Sequence, residues 1–573
     1  MMATISMDIR IGSLAANTLS PPWRITLISD IACSTMLEET NTTSLSPQGI
    51  SKVGLFEHTA FCISRNCVSA ARELALQKLR PAEMDASNRS ECLPGTRQDV
   101  QNFISAWATD LMTEKKILWM YGLAGSGKST LATTIANSFR DSGRLGAFIF
   151  FDRDVSESSR PGVVIRTLAY QLGSFSHHIG TAIATTIDSN PNIHASPLKF
   201  QFQKLLIQPL SSLTIDDMTN TIVVVVDALD ECGNAKERKN LLELLANESR
   251  GFPSTFRMLI TSRAEHDIYS AFESQGHIYT QELDITTPSN VTDISRYIHH
   301  RMMEIRRAKA YLPLEVDWPG DLVLDALCGK AVGLFVWAST ATEFIDAHDP
   351  NKRIDALLSA DKFSGVESAL DALYKAALQS AAVWDDEDFS KDFRDILGIV
   401  LVAKAPLSSK AIDNLLGISE TRPSMHTISL LRCVLAQNPS VRVLHPSFAD
   451  FLANRNRCEN EIWFIEVTSH NYRMAVLCLS RLDVVLRRNI CNLSLSSAVS
   501  AEGDLADDIT YACAFWIDHV LLIINTAASI ADRIDQFLRR HLLHWLEAMS
   551  ILKRSRETNN LLGCLLDWIH VSR

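Results

Sequence analysis

The spacing of apolar and polar positions changes character twice along the chain. Residues 1 to about 70 are rich in Ser and Thr, contain Pro21-Pro22 and hold no sustained period, which predicts weak order. From Val68 to Leu79 apolar positions return at helical spacing, and after a Gly/Pro/Thr turn at Leu93 to Thr96 they do so again from Val100 to Leu111. Short β-rich runs then alternate with helical segments: ILWMY (117–121), AFIFF (147–151), IVVVV (222–226), RMLIT (257–261) and HIYTQEL (277–283). Strands that are apolar at every position suit a parallel sheet covered by helices on both faces. Beyond about residue 290 the strands give way to helices, among them Val291 to Arg306, Asp321 to Ile345, Glu367 to Ala382, Asn471 to Leu486 and Ile534 to Leu552. One β-like piece, Val441 to Leu444, interrupts them. The pattern predicts an α/β domain followed by an all-α region, and no internal repeat of solenoid or propeller length is present.

Composition narrows the function classes. A chain of 573 residues, 46% apolar and 21% charged, has enough apolar surface for a core in each of several domains. The 55 basic and 66 acidic residues leave a net charge of −11 with no basic run, which argues against nucleic acid as a main ligand. The twelve cysteines, such as Cys33, Cys92, Cys232, Cys328 and Cys513, stand singly without a CxxC pair or zinc spacing, as expected of reduced thiols. The longest apolar stretches, Leu322 to Ile345 and Ala514 to Ile530, carry Asp325, Lys330 and Glu343 or Asp518 and His519, so no membrane span is expected. With Asp8 and Arg10 near the start and no apolar run before a cleavage site, no secretory signal is read, and the cytoplasm is the expected location.

Three motifs carry chemistry. GLAGSGKS, Gly122 to Ser129, is an unbroken GxxxxGK[ST] between the strand ILWMY and the helical segment Thr130 to Phe139, which makes the fold class an α/β P-loop NTPase. Gly122, Leu123, Ala124, Gly125, Ser126 and Gly127 would turn backbone N–H groups around phosphates, Lys128 would reach the β and γ oxygens, and the Ser129 hydroxyl would ligate Mg2+, with Thr130 opening the helix. In IVVVVDALDE, Asp227 ends a buried strand where α/β sheets place ligand groups, and it is the expected Mg2+ partner. Asp230 and Glu231 then either orient the attacking water or simply begin the next helix, where acidic residues favour the dipole. In RMLITSR, Thr261, Ser262 and Arg263 close a strand at the same sheet edge, where Arg263 is a candidate reader of the γ-phosphate or else a surface arginine.

Taken together, GLAGSGKST, DALDEC, FIFFDRD (148–154) and LITSR resemble the NACHT class of STAND NTPases. The segments ALQKLRPAEMDASNRSECLPGTR before the P-loop, VLHPSFADFL (443–452), YACAFWIDHV and FLRRHLLHWLEAMSIL are similar to fungal NACHT proteins, over about Ala70 to Leu552. The resemblance implies a helical domain and a winged-helix domain packed against bound ADP in a closed state that opens on exchange for ATP. It also implies that His445 touches the ADP β-phosphate, where the plain reading is a core or surface histidine. The implied boundaries are a weakly ordered 1–70, a helical linker 71–112, an NTPase domain 113–290, a helical domain 291–380, a winged-helix-like domain 381–460 and a helical domain 461–573. Family members usually continue into WD or other repeats. Where related plant-type switches carry proline after Gly-Leu, this chain has Gly333-Leu334-Phe335, so no adenine contact transfers there.

The expectation is therefore a signalling switch in fungal innate immunity or incompatibility. It would bind ATP or ADP with Mg2+, hydrolyse slowly, self-associate on activation and engage a protein effector of unknown kind. GTP stays open: no guanine-reading NKxD motif follows the last strand, but adenine contacts are poorly encoded too. The opposing reading is a rapid-turnover enzyme, a kinase or motor ATPase, for which neither an acceptor lid nor an arginine finger is recognisable. A scaffold with a degenerate site is disfavoured because every phosphate-facing residue is in place.

Overall fold

The five β-rich runs form one sheet: β1 (Ile117–Tyr121), β2 (Leu145–Phe150), β3 (Ile222–Asp227), β4 (Phe256–Ser262) and β5 (Ile278–Glu282). The computed structural model describes residues 70–152, 159–212, 221–359, 365–381, 384–437, 440–458, 462–491, 505–523 and 527–571. The expectation of weak order before residue 70 lies outside them. All pairings in the sheet are parallel, in the order β2-β3-β4-β1-β5.

Every residue of β3 and β4 is buried, which is why these strands show no alternation in sequence. On one face Leu118, Met120, Val223, Val225 and Leu259 pack with Ile104 and Trp107 of the helix Gln98–Thr109 and with Leu131 and Ile135 of the helix Lys128–Asp141. On the other, the Trp119 ring lies 5.5 Å from Phe272 and 5.8 Å from Tyr269 of the helix His266–Phe272. The fold is thus the expected P-loop α/β sheet with helices on both faces.

Contacts divide the chain into two units, residues up to 80 with 172–196, and 81–171 with 197–573. In the first, a helix over 70–77 accompanies the helix His177–Ser189, whose Ile179, Ile183 and Ile187 are buried. Two glycines allow close approach within that unit: a Cβ on Gly180 would lie 2.4 Å from the Gly173 carbonyl oxygen.

In the second unit the strands are followed by helices, beginning with Pro288–Ala308, where the Thr287 side chain accepts from the Asn290 N–H. The apolar stretch Asp321 to Ile345, expected as one helix, is two: Asp321–Ala331 and Phe335–Ile345. Val332 and Gly333 lie between them with φ of 46° and 79°, and a Cβ on Gly333 would fall 2.3 Å from the Ile285 carbonyl oxygen. Only glycine admits that approach, and the left-handed pair ends the helix. Helices Glu387–Val402, Ser409–Leu416 and Ser424–Leu430, followed by the antiparallel hairpin β6 (Leu435–Ala436) and β7 (Arg442–Val443), make the winged-helix arrangement. Within the β-like piece at Val441 to Leu444, Arg442–Val443 form the return strand of that hairpin, and Val441 bridges to Leu407. Beyond it Val467–Val485 packs on Asp507–Leu521 around a buried polar chain. There the Lys404 N–H donates to the Tyr511 hydroxyl at 2.9 Å, which meets His519 Nε2 at 2.8 Å, and His519 Nδ1 lies 3.0 Å from Asn471 Oδ1. Among the described residues no helix is long and apolar enough to cross a membrane.

Candidate nucleotide site

Because β4 pairs with both β1 and β3, its C-terminal end separates the loop after β1 from the carboxylate at the end of β3. Val226 is in register with Ile260 and Tyr121 with Ser262, so Gly122, Asp227 and Thr261 emerge at one edge of the sheet. Gly122 to Gly127 form the turn between β1 and the helix that starts at Lys128. Gly125 and Gly127 adopt φ of 78° and 90°, conformations that side chains disfavour. Gly127 is also the N-cap and supplies no side chain to the first-turn N–H groups of a 14-residue helix, leaving the positive end of its dipole facing the loop.

Lys128 donates to the carbonyl oxygens of Gly122 and Leu123, both at 2.8 Å. Burial drives its ammonium down to about 8, against the opposing pull of Asp230 and Asp227. A buried cation held by two loop carbonyls at the start of a helix fits an anionic phosphate. The Ser129 hydroxyl donates to Asp227 Oδ1 at 3.2 Å, so the two residues read as metal ligands are adjacent. Asp227 is completely buried, and Thr261 also donates to Oδ1 while the Arg89 guanidinium pairs with Oδ2. The Ser129 hydroxyl in the first turn of the helix and the Asp227 carboxylate at the end of β3 are hard-oxygen donors of the kind Mg2+ prefers.

The two acidic candidates differ in their surroundings. Asp230 accepts from the Arg263 backbone N–H at 3.0 Å, and its Oδ2 lies 3.4 Å from the Arg263 guanidinium. That carboxylate is therefore committed to holding Arg263. Glu231 closes the short turn Leu229–Glu231 that follows Ala228, itself left-handed at φ 58°. Ser262 serves the sheet rather than the site, accepting from Trp119 Nε1 at 2.8 Å. Arg263 reaches further, with Nη1 3.7 Å from Asp450 Oδ2 in the helix Pro446–Leu452.

His445 lies beside the loop: a Cβ on Gly125 would be 3.7 Å from its Cε1. It is the N-cap of Pro446–Leu452, and its Nδ1 accepts from the Ser447 N–H at 3.2 Å and lies 2.7 Å from Ser447 Oγ. An accepting Nδ1 puts the proton of the neutral ring on Nε2, making that nitrogen a donor. Tyr374 completes the support, its hydroxyl 2.7 Å from Ser447 Oγ and pushed up to about 12 by burial.

Several residues of the site were given no role by the sequence. The Val336 N–H donates to the Gly125 carbonyl at 3.1 Å, and Phe335 carbons stand 3.7 to 3.9 Å from a Cβ on Gly127, so the helix break delivers Phe335–Ile345 onto the phosphate loop. Phe335 is stacked beneath the Arg97 guanidinium at 5.0 Å, and Arg97 donates to the Ser126 carbonyl at 2.7 Å. Arg238, nearly buried, donates to the carbonyls of Asp230 at 2.7 Å and Gly233 at 3.0 Å and pairs with Asp267 at 2.9 Å, fixing the Asp230 to Gly233 loop.

Against known proteins, a family model described as Nephrocystin 3, N-terminal, matches residues 98–263. That segment, less than a third of the chain, runs from the helix Gln98–Thr109 to Arg263. No curated protein matches. Among solved structures, the chain is similar to a signal transduction ATPase with numerous domains from Pyrococcus horikoshii, which carries a tetratricopeptide-repeat sensor. The identity is 12%, the TM-score 0.41, and the match covers 85% of this chain and 60% of that one. Cdc6p from Pyrobaculum aerophilum matches at 13% identity and TM-score 0.29, over 69% of this chain and 96% of that one. Drosophila ORC, solved bound to DNA, matches at 10% identity and TM-score 0.28, over 60% and 81%. None of these likenesses bears on what this chain binds.

Proposed function

We propose that the chain is a nucleotide-dependent switch of the NACHT/STAND type. It binds ATP or ADP with Mg2+, hydrolyses slowly and self-associates when the triphosphate is held. One observation carries the reading: the helical half is seated on the phosphate loop, through Val336 on Gly125, Phe335 against Gly127 and His445 beside Gly125. An enzyme that passes a phosphoryl group to an acceptor needs that face open. A protein that covers it with its own later helices couples occupancy of the site to the placement of those helices.

Gly122 to Gly127 and Lys128 hold the phosphates, and Ser129 and Asp227 hold Mg2+, which when bound neutralises charge between the β and γ oxygens. Glu231 orients the attacking water, Asp230 positions Arg263, and Arg263 contacts the γ-phosphate. His445 Nε2 donates to the β-phosphate in the closed arrangement, held by Ser447 and Tyr374. The sequence resemblance implies a role in fungal innate immunity or incompatibility and a protein effector, and the cytoplasm is the setting expected from the sequence.

Two variants test the reading. Lys128→Ala should abolish binding of labelled ATP, and Glu231→Gln should bind normally yet slow single-turnover hydrolysis by about 100-fold. Retained ATP affinity in the first would sink the site, and wild-type turnover above ~1 per second would point to the enzyme class instead.

A further inference from the structure

Residues 81–97 precede the helix Gln98–Thr109 as an irregular strap along the helix Lys128–Asp141. Arg89 Nε donates to Thr133 Oγ1 at 3.1 Å, the Cys92 N–H to Thr134 Oγ1 at 2.8 Å, and Asn137 Nδ2 to Glu91 Oε1 at 2.7 Å. The Arg89 guanidinium lies 4.5 Å from the Phe150 ring centroid and 5.6 Å from that of Phe148, with its Nη2 on Asp227 Oδ2. Asp227 has no access to solvent, and a buried carboxylate has to be matched by a cation. Its hydroxyl partners, Ser129 and Thr261, share the other oxygen and bring no charge.

We propose that Arg89 is a resident counter-ion for the metal-site carboxylate, with which a divalent cation competes. The inference rests on reading Ser129 and Asp227 as the metal pair. Binding of Mg2+ then loosens the strap, and by reciprocity whatever anchors the strap raises the Mg2+ concentration the site requires. The strap thereby couples the segment ahead of the NTPase domain to metal occupancy, a role distinct from phosphate binding.

The test uses the full chain with a fluorescent ADP analogue and titrates MgCl2, following both analogue release and the melting temperature. Arg89→Gln should lower the half-saturating Mg2+ concentration at least tenfold, and Mg2+ should raise its melting temperature by more than it raises that of the wild type. Should Arg89→Gln fail to fold, Thr133→Val and Phe150→Leu, which loosen the grip on Arg89, should each give a smaller shift of the same sign. An unchanged or higher Mg2+ requirement in these variants overturns the inference. Ser129→Ala separates the two readings: if it removes the Mg2+ response while Arg89→Gln leaves it unaltered, only the counter-ion role falls. If Mg2+ acts equally on Ser129→Ala and wild type, the metal site falls with it.

Discussion

Raising the pH should weaken nucleotide binding through one group, Lys128. Its ammonium donates to two loop carbonyls, and burial lowers it to about 8 while Asp230 and Asp227 pull the other way. Phosphate oxygens beside the ammonium favour the charged form, so binding lifts the group back toward the ordinary lysine value of about 10.5. The sign follows: a group whose value rises on binding contributes its full attraction below the free value, here about 8, and loses it progressively as pH rises toward the bound value. Nucleotide phosphates are already ionised in that window, so the change belongs to the protein. From pH 7 to 9.5 affinity should fall roughly 30-fold, about 2 kcal/mol, at 1.36 kcal/mol per unit above the free value. Calorimetric titration with ADP in two buffers of different ionisation enthalpy measures both the affinity and the proton taken up, which should approach one per nucleotide near pH 9. Lys128→Arg, charged throughout, should flatten whatever dependence remains. A dissociation constant constant within twofold from pH 7 to 9.5, with no proton uptake, would refute the assignment of Lys128 as the buried phosphate-binding cation.

Removing the imidazole in His445→Ala should speed ADP release about tenfold or more, the loss of a charge-assisted hydrogen bond of ~1.5–3 kcal/mol, while ATP affinity changes little. Stopped-flow release at the wild-type rate would make His445 a structural cap only. Arg238→Ala leaves three loop carbonyls and Asp267 without their partner and should cost about 3 kcal/mol in urea unfolding, together with slower hydrolysis. A loss below about 1 kcal/mol would mean that the Asp230 to Gly233 loop is held by other contacts.

The parts of the site visible in the sequence are those whose residues are contiguous. GLAGSGKS is read whole because the glycines, the lysine and the hydroxyl all act within one turn, and Asp227 stands out because four valines announce a buried strand ending in a charge. Strand-terminal Arg263 could be placed at the sheet edge but not paired, since its partners Asp230 and Asp450 come from two other segments. The break at Val332 and Gly333 was hidden by an apolar pattern that continues unbroken through it. Its cause, the Ile285 carbonyl, lies far off in sequence. Arg89 sits in a strap without any period, and Arg238 in a charged first turn, AKERK, that looks like an ordinary solvated helix start. Both are positioned by tertiary partners that local spacing does not encode.

What links these contacts is that each joins the nucleotide-facing edge of the sheet to a later segment by a group that a phosphate could compete for. Arg263 divides its charge between Asp230 at 3.4 Å and Asp450 at 3.7 Å, the latter partly exposed and so weakly held. His445 presents an N–H whose direction is fixed by Ser447 and Tyr374, and Val336 adds a single backbone bond to Gly125. None of the three holds the segments strongly without nucleotide: the Val336 bond is a neutral one of about 0.5–1.5 kcal/mol, and a partly exposed ion pair such as Arg263–Asp450 contributes about 0–1 kcal/mol. Weakness is what a switch requires. An equilibrium moves tenfold for each 1.4 kcal/mol of differential affinity, so a γ-phosphate that recruits Arg263 away from Asp450 shifts the arrangement measurably without any part of the core unfolding. Contacts much stronger than the phosphate's own would keep the helical half seated on the loop whichever nucleotide was bound.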